Sequence, residues 1–494
     1  MKELLIKFKI DSELRLPLLT NLSIVVIEFF YLLLKFKYLN AQIPFWMTSA
    51  WGVDQLAPRI YIFLIPLLST FILFGGIFFI NYAISKYQRY GERVLIWVMT
   101  LANILLAYSA LRIIKTASQV FEPLFDPRFN QVLIPAIFSF LIVYTIAPRF
   151  IEKFKEDGLV TDPQRHKHPG MLLDKPSARG GGVIFAIGVL VASIFFVKFT
   201  PMMWGIIISM IFATILGYLD DVQNTKPLAK FAWLENPKYR LLLQGLVVLP
   251  LVIFGVVVDS INNPLDGPFH LDAWTLNLFG SQIPVIAVVF TIIWVIWIMN
   301  LLSWSNGVDG QYSGVVGIAG LMIAIMTLRL LHFDPSQRDM MELAAIVSGA
   351  ALGLLPFSWH PSKIMWGFAA TAAGIVLAAI SVVSQAKIAT SIIVLTVPFL
   401  DGAITVTRRL LRGRSPLKGD RGHLHHLLLE RGWSVERVAI FYWVTTAIFG
   451  IAGVLAADKN PILTVLTGFG LVAFLIISLN ISPKKQIDEF LERK

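Results

Sequence analysis

Not one of the 494 residues is cysteine, which excludes disulfides, thiolate metal sites and a cysteine nucleophile but leaves the compartment open. Charge is also scarce: 15% of residues are Asp, Glu, Lys or Arg against 56% hydrophobic, and mean hydropathy is +0.72. A soluble domain does not carry that balance. No internal repeat, low-complexity tract or nucleic-acid motif interrupts the pattern. The net charge of +11 therefore points away from nucleic acid and toward membrane lipid, with lysine and arginine sorted to one face beside anionic headgroups. Met1 to Leu16 carries alternating charge, and the apolar run after it is long enough to span and stay, so a cleaved signal peptide is not expected.

What is present is a succession of apolar runs, each of about 20 residues, the length that crosses a bilayer as a helix. They predict an all-α, polytopic transmembrane helical bundle with spans near 17–37, 60–82, 94–113, 131–149, 182–199, 202–219, 240–258, 283–302, 311–331, 342–359, 364–383, 388–407, 438–456 and 461–482. That makes about fourteen spans, three in an accessory amino-terminal bundle (1–114) and eleven in a core (131–482). Pro123 and Pro127 mark the boundary, and residues 483–494 read as a short surface tail. With the amino terminus inside, segments 83–93, 150–181, 220–239, 303–310, 360–363, 408–437 and 483–494 are cytoplasmic. Charge supports this threading: 408–437 holds Arg408, Arg409, Arg412, Arg414, Lys418, Arg421, Arg431 and Arg437, whereas 259–282 has no lysine or arginine. Both termini and the polar clusters then share the inner face of a bacterial-type plasma membrane.

Four clusters on that face carry candidate chemistry. The densest, Asp401 to Gly432, places six arginines with His423, His425 and His426 between apolar spans. Arginines alone would suit a positive-inside loop; three histidines, mostly neutral at pH 7, add little to topology and suit a bound diphosphate beside a lipid. The second cluster is Gly217-Tyr218-Leu219-Asp220-Asp221 at the end of a span, followed by Lys226, Lys230, Lys238, Arg240 and Gln244. Boundary carboxylates are functional candidates, and hard oxygen ligands suit Mg²⁺ with phosphate. A lone Asp-Asp pair can equally begin an ordinary loop. The third runs from Asn300 through Ser303, Asn306-Gly307 and Asp309-Gly310, and it also fits a plain helix-to-helix turn. The fourth combines Asp162 to His168, including His166, with Asp174-Lys175-Pro176-Ser177-Ala178-Arg179-Gly180-Gly181-Gly182, whose glycines also suit helix packing.

In this order the clusters resemble the polyprenyl-phosphate N-acetylhexosamine-1-phosphate transferase family, the group that contains WecA, TagO and MraY. The resemblance covers about residues 131–482 and is closest at Gly217 to Asp221 and Val397 to Gly432, where P-x-x-D, R-R-L, R-G-R-S-P, D-R and H-L-H-H follow one another. The H-L-H-H form, with Leu424 between His423 and His425, is similar to the WecA/TagO branch and implies a UDP-N-acetylhexosamine donor. Family membership implies transfer of a sugar 1-phosphate from a UDP-sugar to undecaprenyl phosphate with release of UMP, an Mg²⁺ requirement that Mn²⁺ can meet, and a homodimer. It also implies roles. Asp220, Asp221 and Asp309 would be catalytic and metal-side carboxylates, Asn300 a uridine or phosphate contact, and His423, His425 and His426 diphosphate or sugar binders. Asp401, Arg409 and Arg421 match the pattern, with Lys175 and Arg240 as phosphate contacts.

Two departures stand out. The family's N-x-x-N-x-x-D-G-x-D-G becomes Asn300, Ser303, Asn306 and Asp309, losing an amide and an acid. Pro361 to Phe368 aligns with P-A-x-I-F-M-G-D, so Phe368 stands where the family has a metal-binding aspartate. A phenyl ring cannot coordinate a metal. Three alternatives stay open: a rearranged Mg²⁺ site, weak metal affinity, or a degenerate relative that binds or carries polyprenyl-phosphate intermediates without turnover. An active transferase is the expectation adopted.

Overall fold

The computed structural model describes residues 15–46, 53–82, 89–117, 127–163, 176–262, 268–278, 281–384, 392–415 and 422–456, with short pieces between 468 and 478. The chain divides into two compact units, Met1–Asp126 and Pro127–Lys494. Among the described residues eight helices are long and apolar enough to cross a membrane. The protein is thus a polytopic helical membrane protein, because in lipid every backbone amide must be satisfied within the span.

The first unit holds α1 (Arg15–Lys35), a two-stranded hairpin of β1 (Gln42–Pro44) and β2 (Leu56–Pro58), α2 (Leu64–Tyr82) and α3 (Arg89–Ala117). Leu32, Ile43, Ile62, Ile113 and Ile114 form its apolar centre. A buried polar ladder ties α1 to α3: Asn21 donates to Thr100 Oγ1 at 2.7 Å, and Asn103 donates to Asn21 Oδ1 at 3.0 Å.

The second unit follows α4 (Asn130–Glu156), β3 (Val160–Thr161), β4 (Ser177–Arg179), α5 (Gly181–Phe196), α6 (Pro201–Thr225) and α7 (Pro237–Ile253). Two hairpins, β5 (Ser260–Asn262) with β6 (Pro268–His270) and β7 (Thr275–Leu278) with β8 (Ser281–Pro284), lead into α8 (Val285–Trp304). Then come α9 (Gln311–Leu330), α10 (Arg338–Ser358), β9 (Ile364–Met365), α11 (Thr371–Val383), α12 (Thr396–Leu411), α13 (Leu424–Glu430) and α14 (Val435–Ala456). Helices α6 and α7 start on sequence signals, Thr200-Pro201 and Asn236-Pro237, in which the cap side chain accepts an amide and proline occupies the first turn. Helix α10 packs against α4 and α9, and α11 against α6 and α8. Alanine and glycine line these contacts, as tight packing in lipid requires.

Of the about fourteen expected spans, eight correspond to helices long and apolar enough to cross a membrane among the described residues, and three features differ from the expectation. Helix α6 runs on to Thr225, so Asp220 and Asp221 are helical rather than the start of a loop at 220. Residues 364–383 are not one span: Ile364–Met365 is a strand, Phe368–Ala370 a 3-10 turn, and the α-helix starts only at Thr371. Hydropathy alone could not separate them, because this stretch is apolar throughout and buried within the protein. The four small sheets were also unforeseen, being built from strands of two to four residues. Most of the 461–482 run, the 118–126 boundary and the 483–494 tail lie outside the described residues.

Candidate functional site

A strap between α10 and α11, residues 359–370, organises the site. Its strand β9 pairs in parallel with β4, Ala178 opposite Ile364 and Arg179 opposite Met365, in the three-stranded sheet β3-β4-β9. Buried hydrogen bonds fasten the strap to α9: Trp366 Nε1 donates to Ser313 Oγ at 2.7 Å, and Tyr312 Oη donates to the Ala370 carbonyl at 2.6 Å.

Two of the expected acids are bound by this strap. Asp221, fully buried, accepts the Phe368 backbone N–H on Oδ1 at 2.9 Å. Arg179 Nε lies 3.1 Å from the same oxygen as a charge contact rather than an aligned hydrogen bond. Asp221 Oδ2 has no hydrogen-bond partner among the described residues and is covered by the α-carbon of Gly367, where any side chain would collide with the carboxylate. Gly367 also has φ 69°, a region that favours glycine. At the other end of the strap Asp309 Oδ2 accepts the Ser362 N–H at 3.1 Å and lies 2.9 Å from His360 Nδ1.

Asp220 has a partner on each oxygen. Arg240 Nη1 donates to Oδ1 at 3.3 Å and Asn224 Nδ2 to Oδ2 at 2.7 Å. The Arg240 guanidinium lies over the Phe368 ring, 5.5 Å from its centre. Asn300, expected as a ligand contact, is in a reciprocal amide pair with Gln244, at 2.7 and 3.2 Å.

The histidine cluster joins the turn after α8. Asp401, buried in α12, accepts the Leu424 N–H at 2.7 Å, capping α13, and faces His423 Nδ1 at 3.1 Å. Arg409, also buried, points Nη2 at His423 Nε2 at 3.5 Å. A guanidinium can only donate, so Nε2 accepts and Nδ1 carries the proton toward Asp401. His423 stacks on His425 at 5.7 Å and faces Trp304 at 6.3 Å, and His425 meets His426 at 4.2 Å. His425 Nε2 lies against Gly307, while Nδ1 is buried without a hydrogen-bond partner among the described residues. Burial pushes the His425 imidazole well below its ordinary pKa, and His426 and then His423 push it further the same way.

The structure thus links Asp220, Asp221 and Arg240 through Phe368 to the strap, Asp309 to the same strap, and His423 and His425 to the Trp304–Gly310 turn. Lys175, Arg421, His166 and His168 lie outside the described residues. Sequence reasoning missed His360 and did not single out Arg179. His360 directly precedes the Pro361–Phe368 segment aligned with the family, and Arg179 directly precedes the Gly180-Gly181-Gly182 run; those positions were the available signals.

Asp220, Asp221 and Asp309 are the acids that would hold the implied Mg²⁺ or Mn²⁺. Among the described residues no three His, Asp or Glu side chains gather to hold a metal. Asp220 has both oxygens occupied, and the unpartnered oxygen of Asp221 is roofed by Gly367. The donor set does not fit a resident divalent ion.

Comparison with known proteins agrees with the motifs. The profile of glycosyl transferase family 4 matches residues 203–385, a stretch that includes Asp220, Asp221, Asn300, Asp309 and the strap. The decaprenyl-phosphate N-acetylglucosaminephosphotransferase of Mycolicibacterium smegmatis is 26% identical over 343 residues, 62% of this chain and 78% of the relative. The probable undecaprenyl-phosphate N-acetylglucosaminyl 1-phosphate transferase of Bacillus subtilis is 25% identical over 360 residues, 71% of this chain and 92% of the relative. The phospho-N-acetylmuramoyl-pentapeptide-transferase of Enterococcus faecalis is 28% identical over 328 residues, 64% and 95% respectively. Motifs and relatives thus agree in what the chain is similar to: glycosyl transferase family 4, over residues 203–385.

Proposed function

We propose that the protein is an integral-membrane phosphotransferase that moves an N-acetylhexosamine 1-phosphate from a UDP-sugar to undecaprenyl phosphate. The site would lie at the cytoplasmic face and serve the first membrane step of cell-envelope polysaccharide synthesis. An oxygen of the acceptor phosphate attacks the sugar-bearing phosphorus, and the bond from that phosphorus to the bridging oxygen breaks. UMP leaves with the electron pair and a lipid-linked diphosphate sugar remains. Both reactants are anions, so the site has to neutralise charge and hold them in line.

What supports this reading is that one strap receives Asp221 at one end and Asp309 at the other, while the histidines pack on the turn that carries Asp309. In this reading Asp309 acts at the acceptor phosphate, Asp221 holds Arg179 and the strap in position for it, and His423, His425 and His426 bind the diphosphate. Asp401 and Arg409 fix the face His423 presents. The sugar assignment rests on the H-L-H-H form of 423–426. A second reading, a binder or carrier of polyprenyl-phosphate intermediates without turnover, is favoured only by Phe368 at an acid position.

Transfer of radiolabel from UDP-N-acetylglucosamine into the butanol-extractable lipid fraction tests the choice. Labelled lipid that appears only with undecaprenyl phosphate supports the transferase; lipid-phosphate binding with no labelled product supports the binder.

A further inference from the structure

We propose that the cationic charge opposite the transferred phosphates is supplied by Arg179 and Arg240, in place of a resident divalent cation. The inference rests on the transferase reading above and deepens it.

Phe368 is the pivot. Its backbone N–H holds Asp221 Oδ1, so the strap reaches the acid through the main chain and not through a third carboxylate. Its ring lies beneath the Arg240 guanidinium. An arginine over an aromatic face keeps its charge and orientation while its edge stays free for an anion. Arg240 also holds Asp220, and Arg179 stands on Asp221. Two carboxylates and two guanidiniums sum to zero. A dication entering here would meet two fixed cations and no free pair of oxygens, whereas a phosphate would find N–H donors on both arginines.

Exposure agrees with this division. Asp220 and Asp221 are 5% and 0% exposed, while Arg240 and Arg179 are 29% and 23% exposed. The anionic partners are thus sealed and the cationic ones face outward. An incoming phosphate competes with Asp220 for Arg240, and the planar guanidinium can take two of its oxygens at once. A third acid at position 368 would undo the balance, giving net −1 and a place for a metal. Phe368 and the two arginines therefore form one device.

The test uses the full chain in detergent or nanodiscs, stripped of metal. Mn²⁺ binding is followed by electron paramagnetic resonance, and UMP release from UDP-N-acetylglucosamine with undecaprenyl phosphate is followed with and without chelator. The expected results are no saturable Mn²⁺ site in the wild type, a new one in Phe368→Asp, and lipid-dependent UMP release unchanged by chelator. Arg240→Gln should lower that release by about a hundred-fold, the order found for removing one preorganised donor. A saturable wild-type Mn²⁺ site that Asp221→Asn removes overturns the inference, whether or not Phe368→Asp folds. Release that chelator abolishes and Mg²⁺ restores overturns it while leaving the transferase reading intact. No release under any condition overturns the transferase reading, and the wild-type Mn²⁺ titration still decides whether a metal sits here.

Discussion

The imidazole of His425 lies against the α-carbon of Gly307, and a β-carbon there would overlap the ring. Two segments more than a hundred residues apart are thereby fitted to each other, and the Asn306-Gly307 turn is shaped for its histidine as well as for its backbone. Gly307→Ala should expel His425. Overpacking of this kind costs about 1–3 kcal/mol, which predicts UDP-sugar affinity weakened by roughly ten-fold or more. Calorimetric titration checks it, and an unchanged Kd would mean that His425 does not bind the nucleotide sugar.

Asp401 serves two groups, the Leu424 N–H and His423 Nδ1. Asp401→Asn keeps the shape but removes the charge that orients His423. Because asparagine caps about as well as aspartate, helix α13 should lose little stability, whereas turnover should fall by about ten- to a hundred-fold. Equal losses of Tm and activity across Asp401→Asn and Asp401→Ala would reduce Asp401 to a cap.

Asp309→Asn and Asp221→Asn should each lower turnover by at least about a hundred-fold while the protein stays folded. His360→Gln should produce a smaller loss, because Ser362 N–H still holds Asp309 Oδ2. Rates near wild type in either aspartate variant would remove that acid from the chemistry.

The His425 imidazole is held neutral by burial and by its histidine neighbours. Its folded pKa lies below that of the unfolded chain, so the unfolded state takes up the proton first as pH falls. The neutral-His425 contribution is fully present above about pH 6.5 and is lost as pH drops below it toward the folded value. Thermal unfolding at pH 7.5 and 5.5 should therefore show a stability drop that His425→Asn diminishes. An identical pH slope in the two proteins would mean that His425 is not the group responsible.

The helices were legible because runs such as Val285–Trp304 and Gln311–Leu330 are long and apolar, and lipid leaves the backbone few other solutions. Asp309, His423 and His425 were legible as polar groups at the ends of such runs. The strap was not. Ile364-Met365 and Phe368 look like the start of a span, and their strand pairing with Ala178 and Arg179 joins segments with no local signal. For the same reason Arg179 gave no sign of its partner Asp221, and His360 none of Asp309. The Asn300–Gln244 amide pair was likewise not legible, because it joins two helices through residues 56 apart in sequence.

The central claim is tested most directly by UMP release from the purified full-length protein given undecaprenyl phosphate and a panel of UDP-sugars. Lipid-dependent release with one UDP-N-acetylhexosamine, lost in Asp309→Asn, is the predicted result and names the sugar. No release with any sugar, from a folded protein that still binds undecaprenyl phosphate, would contradict the transferase account and identify a binder.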